Sequence, residues 1–252
     1  MNKQEYTEMR QEFAQLIYEY ELYLKRGFLT DCRYNVIYYD VLRDLRKSEA
    51  ELAIMTQAIQ SKSTHKIEDI LNAITRAKEE FKKETETTIN KHNYCQQLLQ
   101  IIDKFDKSVF EQSELKFKDF VVYYHPVVCL NSNPEAKKSY DMLKRFYLES
   151  NYIGFEDYLK QNMNIFDVGD INEDKYVEAS QVYYNFRNTI NNSMKNLEKQ
   201  YPYNKMTVFN DDMTVLAEKD DLEIRAKKFA ESIKNAKKDF FDNFGFEFSL
   251  TD

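Results

Sequence analysis

Histidine and cysteine are the side chains in this sequence that could bind a metal ion or act as a nucleophile. The candidates are Cys32, Cys95, Cys129, His65, His92 and His125. They are widely spaced, and none follows the short ligand intervals that zinc sites use. No glycine-rich phosphate loop, HExxH pattern or Cys-His pair with an orienting acid accompanies them. We therefore predict no metal site, no cofactor, no small-molecule substrate and no enzymatic activity.

The dipeptide His125-Pro126 lies between two apolar helical patterns. Proline disfavours a helical conformation in the residue before it, so the helix that begins near Glu111 should end at His125. Pro134 suits the first position of the next helix, with Asn133 as its cap. The pattern predicts two helices joined by a His-Pro loop. In the simplest interpretation the dipeptide is only a helix stop.

The stretch also resembles a J-domain, in which two antiparallel helices are joined by a His-Pro-Asp loop. Phe117 and Lys118 lie where the family has Tyr-Arg, and the segment SNPEAKKSYDMLKRFYLESNYIGFEDYL is similar to a bacterial subgroup with flanking helical hairpins. The resemblance implies a J-like core formed by Phe117, Phe120, Val121, Tyr140, Leu143 and Tyr147. It also implies a DnaK-type chaperone as the protein partner, bound through His125, Pro126, Val127, Lys116 and Lys118.

One loop residue departs from the J-domain pattern, because Val127 stands where the family has aspartate. An apolar side chain cannot accept the hydrogen bonds that the family's carboxylate makes to the chaperone. Glu114 and Asp119 are acidic on a helix that should attract an acidic partner. We therefore predict a degenerate J-domain that gives little or no stimulation of a chaperone ATPase.

Apolar residues at intervals of three and four predict helices along nearly the whole chain. A first stripe (Tyr6, Met9, Phe13, Leu16, Tyr20, Leu24) predicts a helix over residues 3–26 with Gly27 as its C-terminal cap. A seam of alternating threes and fours predicts a coiled-coil hairpin over residues 31–102. An extra step of four at Thr85 and Thr88 should unwind this seam locally without ending the helix.

A second hairpin is predicted over residues 172–244, with one helix stopped by Pro202. Its aromatic C-terminal end has the pattern of a segment that docks on the core or on a partner, and docking on the core is favoured. If both seams are buried within one chain, the protein should be a monomer. If Ser48, Thr85 and Thr88 mark an incomplete seam, a dimer would complete it.

The composition agrees with a helical protein, since charged residues make up 31% and the chain has 4 glycines and 3 prolines. We predict an all-α fold with helix in more than roughly 65% of residues, in which long antiparallel hairpins flank a short J-domain-like unit. The predicted domains are a helical segment with a coiled-coil hairpin (1–104), the J-domain-like unit (105–165) and a C-terminal hairpin (166–252).

The net charge of −7 argues against binding to nucleic acids or anionic membranes. The N-terminus, MNKQEYTEMRQEF, is charged where a signal peptide would be apolar, and no run of about 20 apolar residues occurs. These features predict a cytoplasmic protein without membrane contact.

The function that the sequence favours is a non-enzymatic adaptor that binds protein partners and carries a degenerate J-domain. One alternative is a true J-domain co-chaperone that tolerates Val127. Another is a nucleic-acid-associated protein of a phage or mobile element that binds through Arg43, Arg46 and Lys47. Cations on the outer side of a seam more often form a solvated face, which disfavours this second alternative.

Overall fold

A computed structural model describes residues 1–131, 133–166 and 171–250 of the chain. Helices account for 85% of it, and no β-strand occurs in these ranges. Both the predicted all-α class and the predicted helical content are confirmed. None of the described helices combines the length and apolarity that a bilayer span requires.

The α-helices are α1 (Lys3–Ile37), α2 (Tyr39–Ser61), α3 (Ile67–Ile102), α4 (Lys107–Tyr124), α5 (Pro134–Leu148), α6 (Tyr152–Phe166), α7 (Tyr176–Leu197) and α8 (Asp212–Phe244). Short 3₁₀ helices cover Glu173–Lys175 and Tyr203–Asn210. Helix α3 runs unbroken through Thr85 and Thr88, as the extra step of four predicts. Helix α7 ends at Leu197, earlier than the predicted stop at Pro202.

The predicted end of the first helix at Gly27 is wrong, since α1 continues to Ile37. The missing side chain instead makes room for Tyr203, because a Cβ added to Gly27 would lie 2.3 Å from Tyr203 Cε1. The Tyr203 ring stacks on Tyr23, with 5.0 Å between the ring centroids. Gly27 is therefore a point of close packing.

The chain forms two compact units, each discontinuous in sequence. The first comprises Met1–Asp31 and Leu98–Met206, and the second comprises Cys32–Gln97 and Thr207–Asp252. This grouping differs from the three consecutive segments predicted from the sequence, because the long helices α1 and α3 each contribute residues to both units. The arms of the predicted second hairpin are also divided, with α7 in the first unit and α8 in the second.

Stacked aromatic rings fill the core of the first unit. Tyr6 of α1 stacks on Tyr176 of α7 with 4.3 Å between centroids. Two helical turns further along α1, Phe13 stacks on Tyr183 of α7 with 4.5 Å between ring centroids. The N-terminal part of α1 therefore packs against α7, and both belong to the same buried cluster as α4 and α5.

The second unit is built around α2, which packs extensively against α8. Met55 of α2 is fully buried in a cluster that also contains Ile70 of α3 and Phe240 of α8. The C-terminal residues Phe248 and Leu250 join this cluster, which confirms the predicted docking of the aromatic end on the core. The predicted hairpin joined α2 to α3 alone, and the packing of α8 into this core was not predicted.

Replacement of Gly27 by alanine tests its role in packing. In an ordinary helix interior alanine is about 1 kcal/mol more favourable than glycine. Here the added methyl must displace the Tyr203 ring, so we expect Gly27→Ala to lower the free energy of unfolding by about 1–2 kcal/mol in chemical denaturation. In a Tyr203→Ala background the same change should stabilise the protein, and an equal gain in both backgrounds would contradict the packing role.

Candidate functional site

The His-Pro loop joins α4 to α5 as the sequence predicts. Helix α4 ends at Tyr124, and His125 has extended backbone angles (φ −62°, ψ 126°) because Pro126 follows it. Helix α5 begins at Pro134, and the Asn133 side-chain oxygen accepts a hydrogen bond from the Glu135 amide at 2.9 Å. The helix ends around the loop are therefore those expected from the sequence. Ser132, within the predicted loop, lies outside the described residues.

Helices α4 and α5 pack as an antiparallel pair. Phe117 stacks on Tyr147 with 3.6 Å between ring centroids, and Phe120 lies beside Tyr140 at 5.9 Å, so residues later in α4 meet residues earlier in α5. The structure places all the residues of the predicted J-like core in one buried cluster: Phe117, Phe120, Val121, Tyr140, Leu143 and Tyr147.

The loop closes on itself through backbone hydrogen bonds. The Asn131 amide donates to the Pro126 carbonyl at 2.7 Å, and the Leu130 amide donates to the Val127 carbonyl at 3.3 Å. Leu130 adopts a left-handed conformation with φ of 52°. This is the arrangement of a Schellman helix cap, in which glycine is usual at the left-handed position. A leucine there is strained, so contacts elsewhere must hold the turn in this form.

The imidazole of His125 points into the protein. The residue is 7% exposed, and its Nδ1 atom accepts hydrogen bonds from the amides of Val127 (3.2 Å) and Val128 (3.4 Å). The ring meets Tyr140 edge-on at 4.4 Å. Burial, and secondarily the charge of Lys144, lowers the pKa of His125 to about 3. His125 is therefore a neutral acceptor that fixes the loop, with its proton on Nε2.

Three neighbouring helices also contact polar groups of the loop. Tyr183 of α7 donates to the Val128 carbonyl at 2.6 Å, and the Asn131 side chain donates to the Ile165 carbonyl of α6 at 3.2 Å. From α1, Arg10 Nη2 lies 3.4 Å from the sulfur of Cys129, whose thiol also donates to the Tyr123 carbonyl. The loop is thus held by contacts with α1, α6 and α7 of the first unit.

A buried ion pair joins α1 to α4. Lys25 Nζ lies 2.6 Å from Glu114 Oε1, and Lys25 is 1% exposed. The other Glu114 oxygen accepts hydrogen bonds from the Tyr147 hydroxyl at 2.6 Å and the Tyr18 hydroxyl at 3.4 Å. Burial lowers the pKa of Lys25, and the charge of Glu114 opposes this shift. Burial, followed by the charge of Glu114, raises the pKa of Tyr147, so this hydroxyl stays protonated as a donor.

The residues predicted to bind a partner occupy different environments. His125 and Pro126 are buried, and Val127 is half-buried against the core. Lys116 is exposed and forms an ion pair with Glu156 of α6. Lys118 is half-buried, with Nζ 5.9 Å from the centre of the Tyr18 ring.

The expectation that Glu114 repels an acidic partner needs correction. Its side chain is 14% exposed and paired with Lys25, so it faces α1. Of the two acidic residues considered on α4, Asp119 is the one on the solvent side.

The apolar stripe of α1 does not predict the inward orientation of Glu21 and Lys25 on this helix. The buried face of this helix runs from Phe13 through Ile17 to these two charged residues in steps of four. The predicted stripe instead followed its apolar neighbours Leu16, Tyr20 and Leu24, which are half-buried. Glu21 accepts hydrogen bonds from the Tyr140 hydroxyl at 3.3 Å and from Lys144 at 2.9 Å. The detectable signal was the spacing of two opposite charges in register with Phe13.

No group of three or more His, Cys, Asp or Glu side chains within the described ranges is arranged to hold a metal ion. His92 stacks on Tyr39, with 3.9 Å between the ring centroids, and so lies between α3 and α2. A scan of protein-family models, a search of curated proteins and a search of solved structures each return no match to this chain. The J-domain resemblance accordingly stays a prediction from the motifs.

Removal of the Glu114 charge should be strongly destabilising. Glu114→Gln leaves the buried Lys25 ammonium without its counter-charge, and we expect a loss of about 3–5 kcal/mol in the free energy of unfolding. The matched control is Glu156→Gln, which breaks the exposed pair with Lys116 and should cost less than about 1 kcal/mol. Adding Lys25→Met to Glu114→Gln should recover part of the loss. Equal costs for the two glutamine variants would contradict the buried-pair interpretation.

The depressed pKa of His125 predicts a pH dependence of stability. Since the unfolded chain binds the proton with an ordinary pKa near 6.5, the folded state loses stability as the pH falls from that value toward about 3. His125 should contribute a loss of about 2 kcal/mol between about pH 7.5 and about pH 5. His125→Asn retains an acceptor near Nδ1 and should remove this part of the slope in urea titrations. His65→Gln, at an exposed site, is the control, and an unchanged slope in the asparagine variant would refute the assignment.

Proposed function

We propose that this chain is a non-enzymatic helical adaptor that binds protein partners, with a degenerate J-domain-like unit that serves as a structural scaffold. A DnaK-type chaperone is then not a partner recognised through the His-Pro loop. The proposal is supported by the hydrogen bonds that the loop makes within the protein. His125 Nδ1 accepts hydrogen bonds from two loop amides, and the Tyr183 hydroxyl donates one to the Val128 carbonyl.

The loop supports this proposal because a docking site needs polar groups that a partner can reach. The carboxylate of the family motif is absent at Val127, and His125 and Pro126 are buried. Exposure of these residues would require the loop to open, which would break the hydrogen bonds of Val128 with α7 and of Asn131 with α6. Each buried bond left unmade would cost about 1 kcal/mol or more. A co-chaperone would have to offset this cost in every cycle of binding.

The adaptor and co-chaperone functions differ in their effect on a chaperone ATPase. We expect the wild-type protein to raise the single-turnover rate of a bacterial DnaK-type chaperone by less than about twofold. The double variant Val127→Asp/Asp119→Lys supplies a loop carboxylate and removes a negative charge from the exposed side of α4, so it should raise the rate partially. Strong stimulation by the unmodified protein would favour the co-chaperone alternative.

A second test of the adaptor function is the capture of protein partners from cells. The tagged protein, cross-linked in the cells that produce it, should retain a defined set of protein partners that a tagged unrelated helical protein does not. Retention of nucleic acid alone, with steep loss at raised salt, would favour the nucleic-acid-associated alternative.

A further inference from the structure

Helices α2 and α3 of the second unit leave an open groove between them of about 1060 Å³. It lies where the extra step of four in α3 brings Thr85 and Thr88 into the seam. These side chains line the groove, and Arg46 Nη1 donates to Thr88 Oγ1 at 3.0 Å. The apolar seam that the coiled-coil pattern predicts is therefore interrupted here by polar side chains.

Both banks of the groove carry residues at the spacing of a coiled coil. On α2 the lining residues include Tyr39, Arg43, Arg46, Ala50 and Ala53, separated by steps of four, three, four and three. On α3 they include Phe81, Glu84, Thr88 and Lys91, separated by three, four and three. Two such stripes side by side flank a groove with room for the side chains of a helix from another molecule. The α2 bank is about 20 Å long at 1.5 Å per residue, enough for about four turns of a partner helix.

Small side chains in the lining of the groove favour close approach by a helix. Ala50 is half-buried and Ala53 is exposed, while Tyr39 and Phe81 are half-buried. The stems of the flanking lysine and arginine side chains add further apolar surface. A partner helix with an apolar stripe could therefore bury that stripe between the two banks.

The charge of the lining identifies the kind of helix that fits. The cations in the lining are Arg43, Arg46, Lys47, Lys83 and Lys91. They exceed the carboxylates Asp44, Glu49 and Glu84, although the chain as a whole has a net charge of −7. Arg43 forms ion pairs with Asp40 and Asp44, and Glu49 forms one with Arg225. The excess of positive charge therefore lies mainly at Arg46, Lys47 and Lys83. Two copies of this face in a symmetric dimer would bring like charges together. The three carboxylates in turn disfavour a phosphate backbone.

We propose that the groove between α2 and α3 binds an acidic amphipathic helix of a partner protein. The inference rests on the proposed adaptor function and assigns it a surface, which is separate from the His-Pro loop. The helix lies along the groove between α2 and α3, with its apolar stripe over Ala50 and Ala53 and its carboxylates beside Lys47 and Lys83.

A synthetic peptide tests the groove directly. The probe is a fluorescein-labelled helix of about three heptads with leucine at the seam positions and glutamate beside them. Its twin carries lysine at every glutamate position. Fluorescence anisotropy with the full-length protein should show saturable binding of the acidic peptide and at least about tenfold weaker binding of the basic twin.

Two variants locate the binding site. Lys47→Glu/Lys83→Glu replaces attraction by repulsion on both banks and should weaken binding of the acidic peptide about tenfold. The control Lys82→Glu/Lys228→Glu makes the same change in net charge at exposed positions outside the groove lining, and should change affinity by less than about twofold. Ala53→Tyr fills the groove without a change in charge and should also weaken binding about tenfold.

Several results would overturn the proposal. Equal loss of binding in both charge-reversed variants would show a general charge effect. Tighter binding of a single-stranded dT oligonucleotide than of the acidic peptide, with the same dependence on Lys47 and Lys83, would assign the groove to nucleic acid. A dimer in light scattering that Ala53→Tyr dissociates would assign it to a second copy of the chain.

Cross-linked capture separates failure of this inference from failure of the adaptor function. If Lys47→Glu/Lys83→Glu retains the same cellular partners as the wild type, the groove assignment is wrong and the adaptor function stands. If the wild type retains no protein partner while the peptide binds normally, the adaptor function is wrong and the groove remains a helix-binding site.

Discussion

The buried pair between Lys25 and Glu114 is the constraint on which the first unit depends. An ammonium group that is 1% exposed is stable only beside a counter-charge, so α1 must lie where Lys25 reaches α4. The Tyr147 hydroxyl donates to the same carboxylate and brings α5 to that point. One glutamate thereby contacts side chains of three helices, and we infer that this pair favours a single arrangement of those helices more than it adds stability.

The same arrangement of helices explains how the His-Pro loop is held in place. With α1 docked on α4 and α5, Arg10 lies beside Cys129 and Tyr183 of α7 reaches the Val128 carbonyl. A loop supported from several helices can hold Leu130 in a left-handed conformation that an isolated turn would avoid. Because the loop is held by contacts within the first unit, we propose that partners bind at the groove of the second unit instead.

Local sequence rules predicted the helices well because their causes are local. Pro126 sets the end of α4, Asn133 caps α5, and the apolar period carries α3 from Ile67 to Ile102. The errors arise where packing partners are distant in sequence. Gly27 has the local pattern of a helix cap, but Tyr203 packs against it, which no local pattern indicates. The two discontinuous units likewise depend on contacts between residues distant in sequence. The turns at Leu130 and Ser150 lack the glycine that usually marks a left-handed residue, so no sequence signal identified them.

The ionisation of His125 tests most directly whether the His-Pro loop is a buried structural element. A nuclear magnetic resonance titration of the imidazole nitrogens should show a neutral ring, with the proton on Nε2, throughout the range in which the protein remains folded. This follows from a pKa lowered to about 3 by burial. Titration of His125 in the folded protein near the ordinary pKa of about 6.5 would mean that the ring is solvated, and would contradict the account.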